Sequence, residues 1–403
     1  MISKDSPRDL QNFNHHQIPM ATNQTNIKVI SYVTDLLAAA NIGISNDAQN
    51  AKNDWDIIIK HPGFYDRLVK NGSLGLGESY MDGWWECKDL EGFFQRVIEA
   101  DLSTKFYSQL RLDNIFELAR IKLLPSADPY EVGRKHYDNG NDLYENMLGT
   151  SMAYSCAYYK DTDKLDEAQV AKYELICQKL HLEKGMTIID IGCGWGGLLV
   201  YMVEKYGVKA TGLTVSTEQK KYIELTYPEL DIEIHLLDYQ EYCAVTTQEY
   251  DRVVSVGMFE HVGLSRYPEF MVCSKQLLRD GGLFLLHTIG NKRTDTGRDP
   301  WIDTYIFPNG KIPSATQITA VIENRFALED WHNFGLYYEK TLLAWLENFQ
   351  NSWPKIKDNY GDRFYRMWTY YLLSCAGAFK ARKLELWQIV LSKISNEVYQ
   401  GVR

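Results

Sequence analysis

The chain has 403 residues, a formal net charge of -10 and a hydrophobic content of 45%. This length is enough for two or three domains, and this hydrophobic content excludes wholesale disorder. A dominant basic balance is usual in nucleic-acid-binding proteins, so we expect no nucleic-acid partner.

The chain divides into four predicted segments. Residues 1–26 are polar and rich in Asn and Gln, which predicts a disordered tail. Residues 27–122 show helical patterns, including a short amphipathic one at 111–122, and predict a small helical accessory domain. Two prolines in LPSADP indicate a boundary, so 123–135 is the predicted linker and 136–403 the predicted catalytic domain.

Strands and helices alternate in the predicted catalytic domain. The predicted strands are 187–191, 208–214, 232–237, 251–257, 282–288, 326–334 and 384–391. The predicted helices are 197–206, 216–226, 264–279, 337–352 and 360–381. Near-continuous apolar strands alternating with helices predict a parallel sheet covered on both faces. Seven strands in this arrangement predict an α/β fold, the Rossmann-like class I methyltransferase sheet.

The segment TIIDIGCGWGG, 187–197, is the most informative motif. An apolar strand stops at Asp190 and passes into a glycine-rich turn followed by a helix, which is a nucleotide-binding arrangement. Gly192, Gly194 and Gly197 satisfy the dinucleotide pattern, and Gly192, Gly194 and Gly196 satisfy the pattern of S-adenosylmethionine enzymes. The motif alone therefore leaves the nucleotide open.

The ends of the second and third strands narrow the choice of cofactor. The segment GLTVSTEQ, 212–219, lacks the acidic residue that binds the ribose of NAD, and this also counts mildly against an ordinary methyltransferase. Ser216 and Gln219 match a capping box, which does not preclude ribose contact. Asp238 follows the third strand, where methyltransferases hold the adenine amino group, but it equally fits a turn or helix cap.

Reactive residues gather at the carboxyl ends of the predicted strands, where open parallel sheets bind ligands. Glu260 follows the fourth strand, His287 closes the fifth and Tyr338 follows the sixth. Residues 154–156 precede the first strand and are expected to fold over the pocket as a lid. Each residue also has a purely structural explanation, as a cap or a buried core residue. Their convergence on one rim nevertheless indicates a site.

Cysteines and apolar stretches indicate the cellular compartment. The 7 cysteines are scattered without a C-x-x-C pair, so we expect neither a disulfide framework nor a metal site, as fits a reducing cytoplasm. The first residues lack the apolar segment of a secretory signal, and no stretch approaches the ~18 apolar residues that span a bilayer. A lipid substrate would therefore have to be reached from the water side.

Long motifs in a single order reveal a family resemblance. From about Trp55 to its last residue, the chain resembles cyclopropane-fatty-acyl-phospholipid synthases of the mycolic acid cyclopropane synthase superfamily. The motifs are GSLGLGESYMDGWWEC (72–87), HYDNGNDLYENML (136–148), YSCAYY (154–159), DIGCGWGGL (190–198), SVGMFEHVG (255–263), LLHTIG (285–290), PWIDTYIFPNG (300–310), EDWHNFG (329–335) and TYYLLSCAGAFKAR (369–382).

The resemblance implies transfer of a methylene group from S-adenosylmethionine to a cis double bond of a phospholipid acyl chain. Methyl transfer to an alkene leaves a carbocation, so the pocket must exclude water and a base must remove a proton from the new methyl group. Members of the family bind bicarbonate, which can serve as that base. The alternative is a methyltransferase that adds a simple methyl to unsaturated lipids, because the motifs do not separate the two.

The resemblance also implies roles for individual residues. Matching positions assign the cofactor to Tyr154, Ser155, Asp190, Gly192, Gly194, Thr214, Gln219, Asp238 and Phe259. They assign bicarbonate and catalysis to Cys156, Glu260, His287, Tyr338 and the backbone of Ile289. Cys375 matches a cysteine often given as catalytic, although a thiol near a cation is better explained as pocket lining than as a nucleophile.

Partners and location follow from the same resemblance. We expect unsaturated phospholipids at the membrane surface as substrates and a second copy of the chain in a homodimer. The expected location is the cytoplasm, with peripheral attachment to the inner face of the membrane. Candidate lipid contacts in the accessory domain are Trp84, Trp85, Phe93 and Phe94, although an ordinary helical core explains at least half of them.

Overall fold

The computed structural model describes residues 23–110, 141–294, 297–394 and 397–403. The predicted linker 123–135, the predicted helix 111–122 and most of the predicted tail 1–26 lie outside these residues. Helix α1, Asn23–Ala38, already begins within the predicted tail. Within the described residues, no helix combines the length and the apolarity that crossing a bilayer requires.

The amino-terminal module contains short strands as well as helices. After α1 come β1 (Ile44–Ser45), β2 (Ile57–Ile59), α2 (Phe64–Met81), β3 (Trp85–Cys87), α3 (Leu90–Glu99) and α4 (Leu102–Leu110). The strands form a three-stranded sheet in the order β1-β2-β3. Helices thus make up most of the module, as the sequence predicts, and the strands are only two or three residues long.

The larger unit contains the alternating elements that the sequence predicts. Its first half comprises α5 (Asn141–Met147), α6 (Leu165–Lys179), β4 (Thr187–Ile191), α7 (Gly197–Tyr206), β5 (Lys209–Thr214), α8 (Thr217–Thr226), β6 (Ile232–Leu236), α9 (Tyr239–Val245) and β7 (Tyr250–Val256). Its second half comprises α10 (Phe259–Val262), α11 (Tyr267–Leu277), β8 (Leu278–Asn291), α12 (Pro300–Tyr305), α13 (Ala315–Ile322), β9 (Ala327–Asn333), α14 (Leu336–Tyr360), α15 (Asp362–Lys380) and β10 (Leu384–Ser392).

The seven-stranded sheet has the order β6-β5-β4-β7-β8-β10-β9. Strands β4 to β8 are parallel, and β10 runs antiparallel between β8 and β9. The predicted seven-stranded α/β fold is thus confirmed, with a mixed rather than fully parallel sheet. The strand order reverses beside β4, which is where sheets of this type bind their ligands.

Apolar side chains of the strands cover both faces of the sheet. Ile188 and Ile189 of β4 are fully buried and belong to core clusters on opposite sides. Successive side chains of a strand point to opposite faces, so a strand covered on both sides needs an unbroken apolar run. This requirement is why the run in β4 could be recognised from the sequence.

Strand β8 is longer than predicted, and this changes the position of His287. The strand continues to Asn291, so His287 lies inside it and does not close it. The parallel pairing with β7 nevertheless ends at Val256 and His287. Beyond that point β8 is held by its pairing with β10, which continues to Asn291. His287 therefore still lies at the carboxyl edge of the parallel part of the sheet.

The amino-terminal module and the larger unit share one hydrophobic core. Trp85, Phe93 and Phe94 are at most 7% exposed and belong to the same buried cluster as Tyr338 of α14. The core explanation therefore holds for these three predicted lipid contacts. Trp84 is half-buried, and its ring stacks on His61 with a centroid distance of 4.3 Å.

Helix α2 makes close contacts with α12 and α15 at this boundary. A Cβ atom on Gly77 would overlap the indole of Trp301, and the Trp301 ring lies 4.4 Å from that of Tyr370. At the end of α2, Asp82 pairs with Arg363 of α15 at 2.9 Å. The glycine-rich motif at 72–87 thus provides the surface on which the catalytic unit packs.

Two cysteines form a disulfide that the sequence analysis did not predict. Cys243 of α9 and Cys273 of α11 are bonded, with their Cα atoms 6.0 Å apart. The expectation that the chain lacks a disulfide framework did not foresee this single pair. The two helices pack side by side, but the cysteines are separated by 30 positions, a spacing that carries no recognisable pattern.

We predict that Gly77→Ala destabilises the protein by about 1–3 kcal/mol, because the added methyl overpacks the contact with Trp301. Urea unfolding measures this cost. In the double variant with Trp301→Leu, the cost of Gly77→Ala should shrink, because the indole it strikes has been removed. Additive effects of the two substitutions would show that the contact does not join the two units.

Candidate active site

The glycine turn after β4 adopts a conformation that side chains rarely allow. Gly192 and Gly194 have φ values of 91° and 57°, in the left-handed region that favours glycine. A Cβ atom on Gly192 would lie 2.8 Å from Cβ of Met258, whereas one on Gly194 would meet none of the described residues within 4 Å. Gly194 thus borders open space where a ligand can approach the backbone.

That open space is a cavity of about 670 Å³ at the carboxyl edge of the sheet. It is lined by every predicted cofactor residue except Phe259, namely Tyr154, Ser155, Asp190, Gly192, Gly194, Thr214, Gln219 and Asp238. Phe259 is fully buried and stacks on Tyr267, with a centroid distance of 4.1 Å. The structure therefore gathers most of the predicted cofactor residues around one cavity.

Polar side chains that follow β5 cap helix α8 at Ser216 and line the cavity at Thr214 and Gln219. The Ser216 hydroxyl accepts a hydrogen bond from the Gln219 N–H, so the predicted helix cap is present. The Gln219 side chain does not complete a capping box but accepts from the Thr214 hydroxyl at 2.7 Å. This bond holds the Thr214 and Gln219 side chains together at the cavity wall.

Asp238 is the predicted helix cap and also lies at the cavity wall, where its predicted contact with adenine stays a prediction. Its carboxylate caps α9 by accepting from the Gln240 N–H at 3.0 Å, and it lines the cavity. Arg266 approaches it at 3.6 Å, and burial raises the pKa of the carboxyl group. Asp238 is therefore held in place by its capping bonds and presents a carboxylate edge to the ligand.

A buried lysine at the cavity wall was missed by the sequence analysis. Lys172 of α6 is 1% exposed, and its Nζ donates to the Ser155 hydroxyl at 2.8 Å. Burial lowers the pKa of Lys172 to about 7 and raises that of Asp190 to about 7, and each group favours the charged form of the other. In the sequence, Lys172 stands in an ordinary helical segment, and nothing there indicates that its side chain reaches the cavity wall.

Glu260 lies buried next to β8. It is 6% exposed, and its Oε1 accepts a hydrogen bond from the Ile289 N–H at 2.5 Å. Its Oε2 is buried and has no partner among the residues that the structure describes. Burial raises the pKa of Glu260 to about 7. The N–H of Ile289, whose backbone is predicted to contact bicarbonate, is therefore bonded to Glu260 in this structure.

His287 is equally buried and electrically neutral. Its Nδ1 lies 3.3 Å from the amide nitrogen of Gln388, and its Nε2 finds no partner within the described part of the chain. Burial lowers the pKa of His287 well below its usual value, and the positive charges of Lys172 and Lys179 act in the same direction. The ring is therefore uncharged across the physiological pH range.

The other predicted catalytic residues are buried or partly buried nearby. Thr341, three positions after Tyr338 on α14, donates weakly to the Cys156 sulfur at 3.9 Å. Burial raises the pKa of the Cys156 thiol well above its usual value and that of Cys375 to about 12. Neither thiol is a thiolate at neutral pH, so neither is a ready nucleophile.

The predicted anion-binding residues lie next to the cavity lining rather than within it. The described cavity wall lacks Cys156, Glu260, His287 and Tyr338. It includes Ser155, which precedes Cys156, and His261, which follows Glu260. Aromatic rings connect the two groups. Tyr154 lies 5.3 Å from Trp345, which lies 6.0 Å from Tyr338, measured between centroids.

We predict that Gly194→Ala weakens binding of S-adenosylmethionine at least tenfold, because the methyl group enters the space that a ligand would occupy. Calorimetric titration measures the affinity. Gly185→Ala is a matched control, since Gly185 also has a positive φ and open space around it but lies outside the cavity wall. Both variants should lose about 1–2 kcal/mol of stability. Equal loss of affinity in both would contradict the assignment.

We predict that Glu260→Gln stabilises the ligand-free protein as pH rises. The folded-state pKa of Glu260 is raised from 4.5 to about 7, so between these values the unfolded chain loses its proton while the buried carboxyl keeps it, and the wild type loses stability. The variant avoids this loss, and its advantage should reach about 3 kcal/mol above pH 7. Urea unfolding at pH 5 and 8 tests it. The exposed Glu204→Gln should show no such pH-dependent difference.

Known proteins with similar sequences and structures match this arrangement. The family profile described as mycolic acid cyclopropane synthetase matches residues 126–389. The cyclopropane-fatty-acyl-phospholipid synthase of Escherichia coli K12 is 49% identical over 89% of this chain and 92% of its own. A probable fatty acid methyltransferase of Pseudomonas putida is 33% identical over 84% of this chain and 86% of its own.

A solved structure extends the similarity to three dimensions. The mycolic acid cyclopropane synthase CmaA1, in complex with SAH and CTAB, has a TM-score of 0.61 and 30% sequence identity. It covers 68% of this chain and 100% of its own. The family profile spans well over half of the chain, and the Escherichia coli enzyme aligns along most of its length. The chain therefore belongs to the mycolic acid cyclopropane synthetase family of enzymes.

Proposed function

We propose that the protein transfers a methylene group from S-adenosylmethionine to the cis double bond of an unsaturated phospholipid acyl chain and forms a cyclopropane ring. The observation that carries this proposal is a glycine-lined cavity of about 670 Å³ next to two buried titratable side chains, Glu260 and His287. The reaction needs a cofactor pocket beside an acid–base site that is closed to water.

The cavity offers the groups that S-adenosylmethionine requires. Asp190 can accept from the cofactor's ammonium group, Thr214 and Gln219 can bind the ribose hydroxyls, and Asp238 can accept from the adenine amino group. The complex of CmaA1 with SAH supports this cofactor, because SAH is what remains after the methyl group has left. CTAB carries a long alkyl chain, so the same complex supports a lipid substrate.

Positioning and exclusion of water must supply most of the catalysis. An isolated alkene is a weak nucleophile and cannot be activated by deprotonation, so it has to be held in line with the sulfonium methyl group. The positive charge that develops on the acyl chain can be stabilised by aromatic faces. The connected rings of Tyr154, Trp345 and Tyr338 are placed to do this.

The side chains that the family resemblance groups with Glu260 have the donors and acceptors that a bicarbonate ion needs. The neutral His287 ring and the Tyr338 hydroxyl can donate to an oxyanion, and the Glu260 carboxylate can accept from a hydroxyl. The family resemblance also assigns Cys156 to this ion, whereas the Ile289 N–H is already bonded to Glu260. When bound, bicarbonate would supply the base that takes up the proton lost from the new methyl group.

The chain's own residues set the protonation state of this site. A pKa of about 7 lets Glu260 exist in both forms near neutral pH, so it can hold or release a proton at its unpaired oxygen. The neutral His287 presents one N–H and adds no positive charge that would compete with the carbocation. Both groups are buried, which keeps water from trapping the carbocation.

The accessory domain, residues 27–122, is proposed to dock on the membrane surface from the cytoplasm. It shares its aromatic core with α14 and α15, which gives an apolar path from the module to Tyr338. The name of the Escherichia coli relative supports a phospholipid substrate. We further propose that residues 136–403 form the catalytic domain after the linker 123–135, and that the protein acts as a homodimer.

The second candidate function is addition of a simple methyl group to the same lipids. The resemblance to the probable fatty acid methyltransferase of Pseudomonas putida favours it. The two reactions share the methyl transfer step and differ in the fate of the carbocation. A product that gains one CH2 and loses its double bond supports the cyclopropane, whereas a product that keeps a double bond supports simple methylation.

The test is incubation with vesicles of unsaturated phospholipid and methyl-labelled S-adenosylmethionine, followed by lipid mass spectrometry. We expect labelled cyclopropane lipid, formed more slowly when bicarbonate is depleted. Glu260→Gln and His287→Ala should each lower turnover by roughly a hundredfold with little change in cofactor affinity. Equal losses of turnover and affinity would point to a structural role, and unchanged rates without bicarbonate would contradict its part in the reaction.

A further inference from the structure

A row of polar side chains crosses three neighbouring strands behind the site. His287 of β8 and His332 of β9 are both register partners of Gln388 on β10, which lies between them. Gln388 is fully buried and His287 is 1% exposed. Such burial of an amide in the centre of a sheet is costly unless its hydrogen bonds are used.

The bond between Gln388 and His287 determines where the histidine proton lies. The amide nitrogen of Gln388 lies 3.3 Å from Nδ1 of His287, and an amide nitrogen can only donate. With the amide in this orientation, in which its oxygen has no partner among the described residues, Nδ1 is the acceptor. A neutral imidazole carries one proton, so that proton is on Nε2, the atom without a partner in the described part of the chain.

Burial keeps His287 neutral, and two lysines near the row act in the same direction. Lys179 places its Nζ 3.1 Å from Nδ1 of His332 and 3.2 Å from the carboxylate of Asp330. Lys172 lies on the opposite side, bonded to the lid at Ser155. Both ammonium groups disfavour a second positive charge on His287, so the ring has a single proton whose position matters.

We propose that Gln388 is a positioning residue that holds His287 in the Nε2–H tautomer, so that the ring donates a hydrogen bond to the anion in the active site. This inference rests on the proposed function, because it gives that anion as the acceptor. The opposite tautomer would direct a nitrogen lone pair toward an oxyanion, which is repulsive. The tautomer of a metal-free catalytic histidine is commonly set by such a partner.

The test is ¹⁵N NMR of histidine-labelled protein without lipid, with the His287 signals assigned by their loss in His287→Ala. In the wild type we expect a protonated Nε2 and an unprotonated Nδ1. Gln388→Glu in its ionised form offers only an acceptor and should move the proton to Nδ1 or charge the ring. Gln388→Met cannot donate and should give a mixture of tautomers, which provides a second variant if Gln388→Glu folds poorly.

Turnover in the vesicle assay provides the second readout. Both Gln388 variants should lower kcat by roughly a hundredfold and raise the KM for bicarbonate, with the KM for S-adenosylmethionine unchanged. Ser392→Ala is a matched control, since Ser392 is a buried polar residue on the same strand that bonds Glu329 instead. It should leave the His287 tautomer unchanged and kcat within about twofold.

The two possible failures can be told apart. A wild-type spectrum with the proton on Nδ1, or an unchanged tautomer in both Gln388 variants, would overturn the positioning role even if the enzyme makes cyclopropane lipid. A wild type that makes no cyclopropane lipid would overturn the proposed function, whatever the tautomer. Reduced turnover in Ser392→Ala equal to that in Gln388→Met would show a general packing effect and also overturn the inference.

Discussion

The burial of Glu260 and His287 beside a cofactor cavity is the constraint on which the rest of the site depends. Removing a carboxyl group and an imidazole from water disfavours their charged forms, which raises the pKa of Glu260 to about 7 and keeps His287 neutral. In the proposed reaction, the same exclusion of water would protect the carbocation. Burial therefore costs folding free energy and also supplies the dry, uncharged surroundings that the proposed reaction needs.

The fold creates this burial through the extra length of β8 and the antiparallel strand beside it. Past the end of β7, β8 continues against β10, so His287 and the Ile289 N–H that binds Glu260 lie inside a covered part of the sheet. Helices α14 and α15 add an aromatic layer on the side of Tyr338. The cavity lies on the parallel part of the sheet, and Glu260 and His287 lie where the antiparallel part begins.

Parts of the fold that follow from one local requirement could be predicted from the sequence. The unbroken apolar run of β4 and the glycine turn after it each follow from a single physical rule, and both are confirmed. Features that depend on distant parts of the chain could not be predicted. The role of Lys172, the bond from Gln388 to His287 and the disulfide between Cys243 and Cys273 arise only when separate elements pack together.

The most direct test of the account uses S-adenosylmethionine with a trideuterated methyl group and unsaturated phospholipid vesicles. Mass spectrometry and NMR of the product count the deuterium atoms on the new carbon. If an enclosed base removes a proton from the transferred methyl group, two deuterium atoms remain, and both lie on a ring carbon. A product that keeps all three as a methyl branch, or one that carries a hydroxyl group from water, would contradict a dry site with its own base.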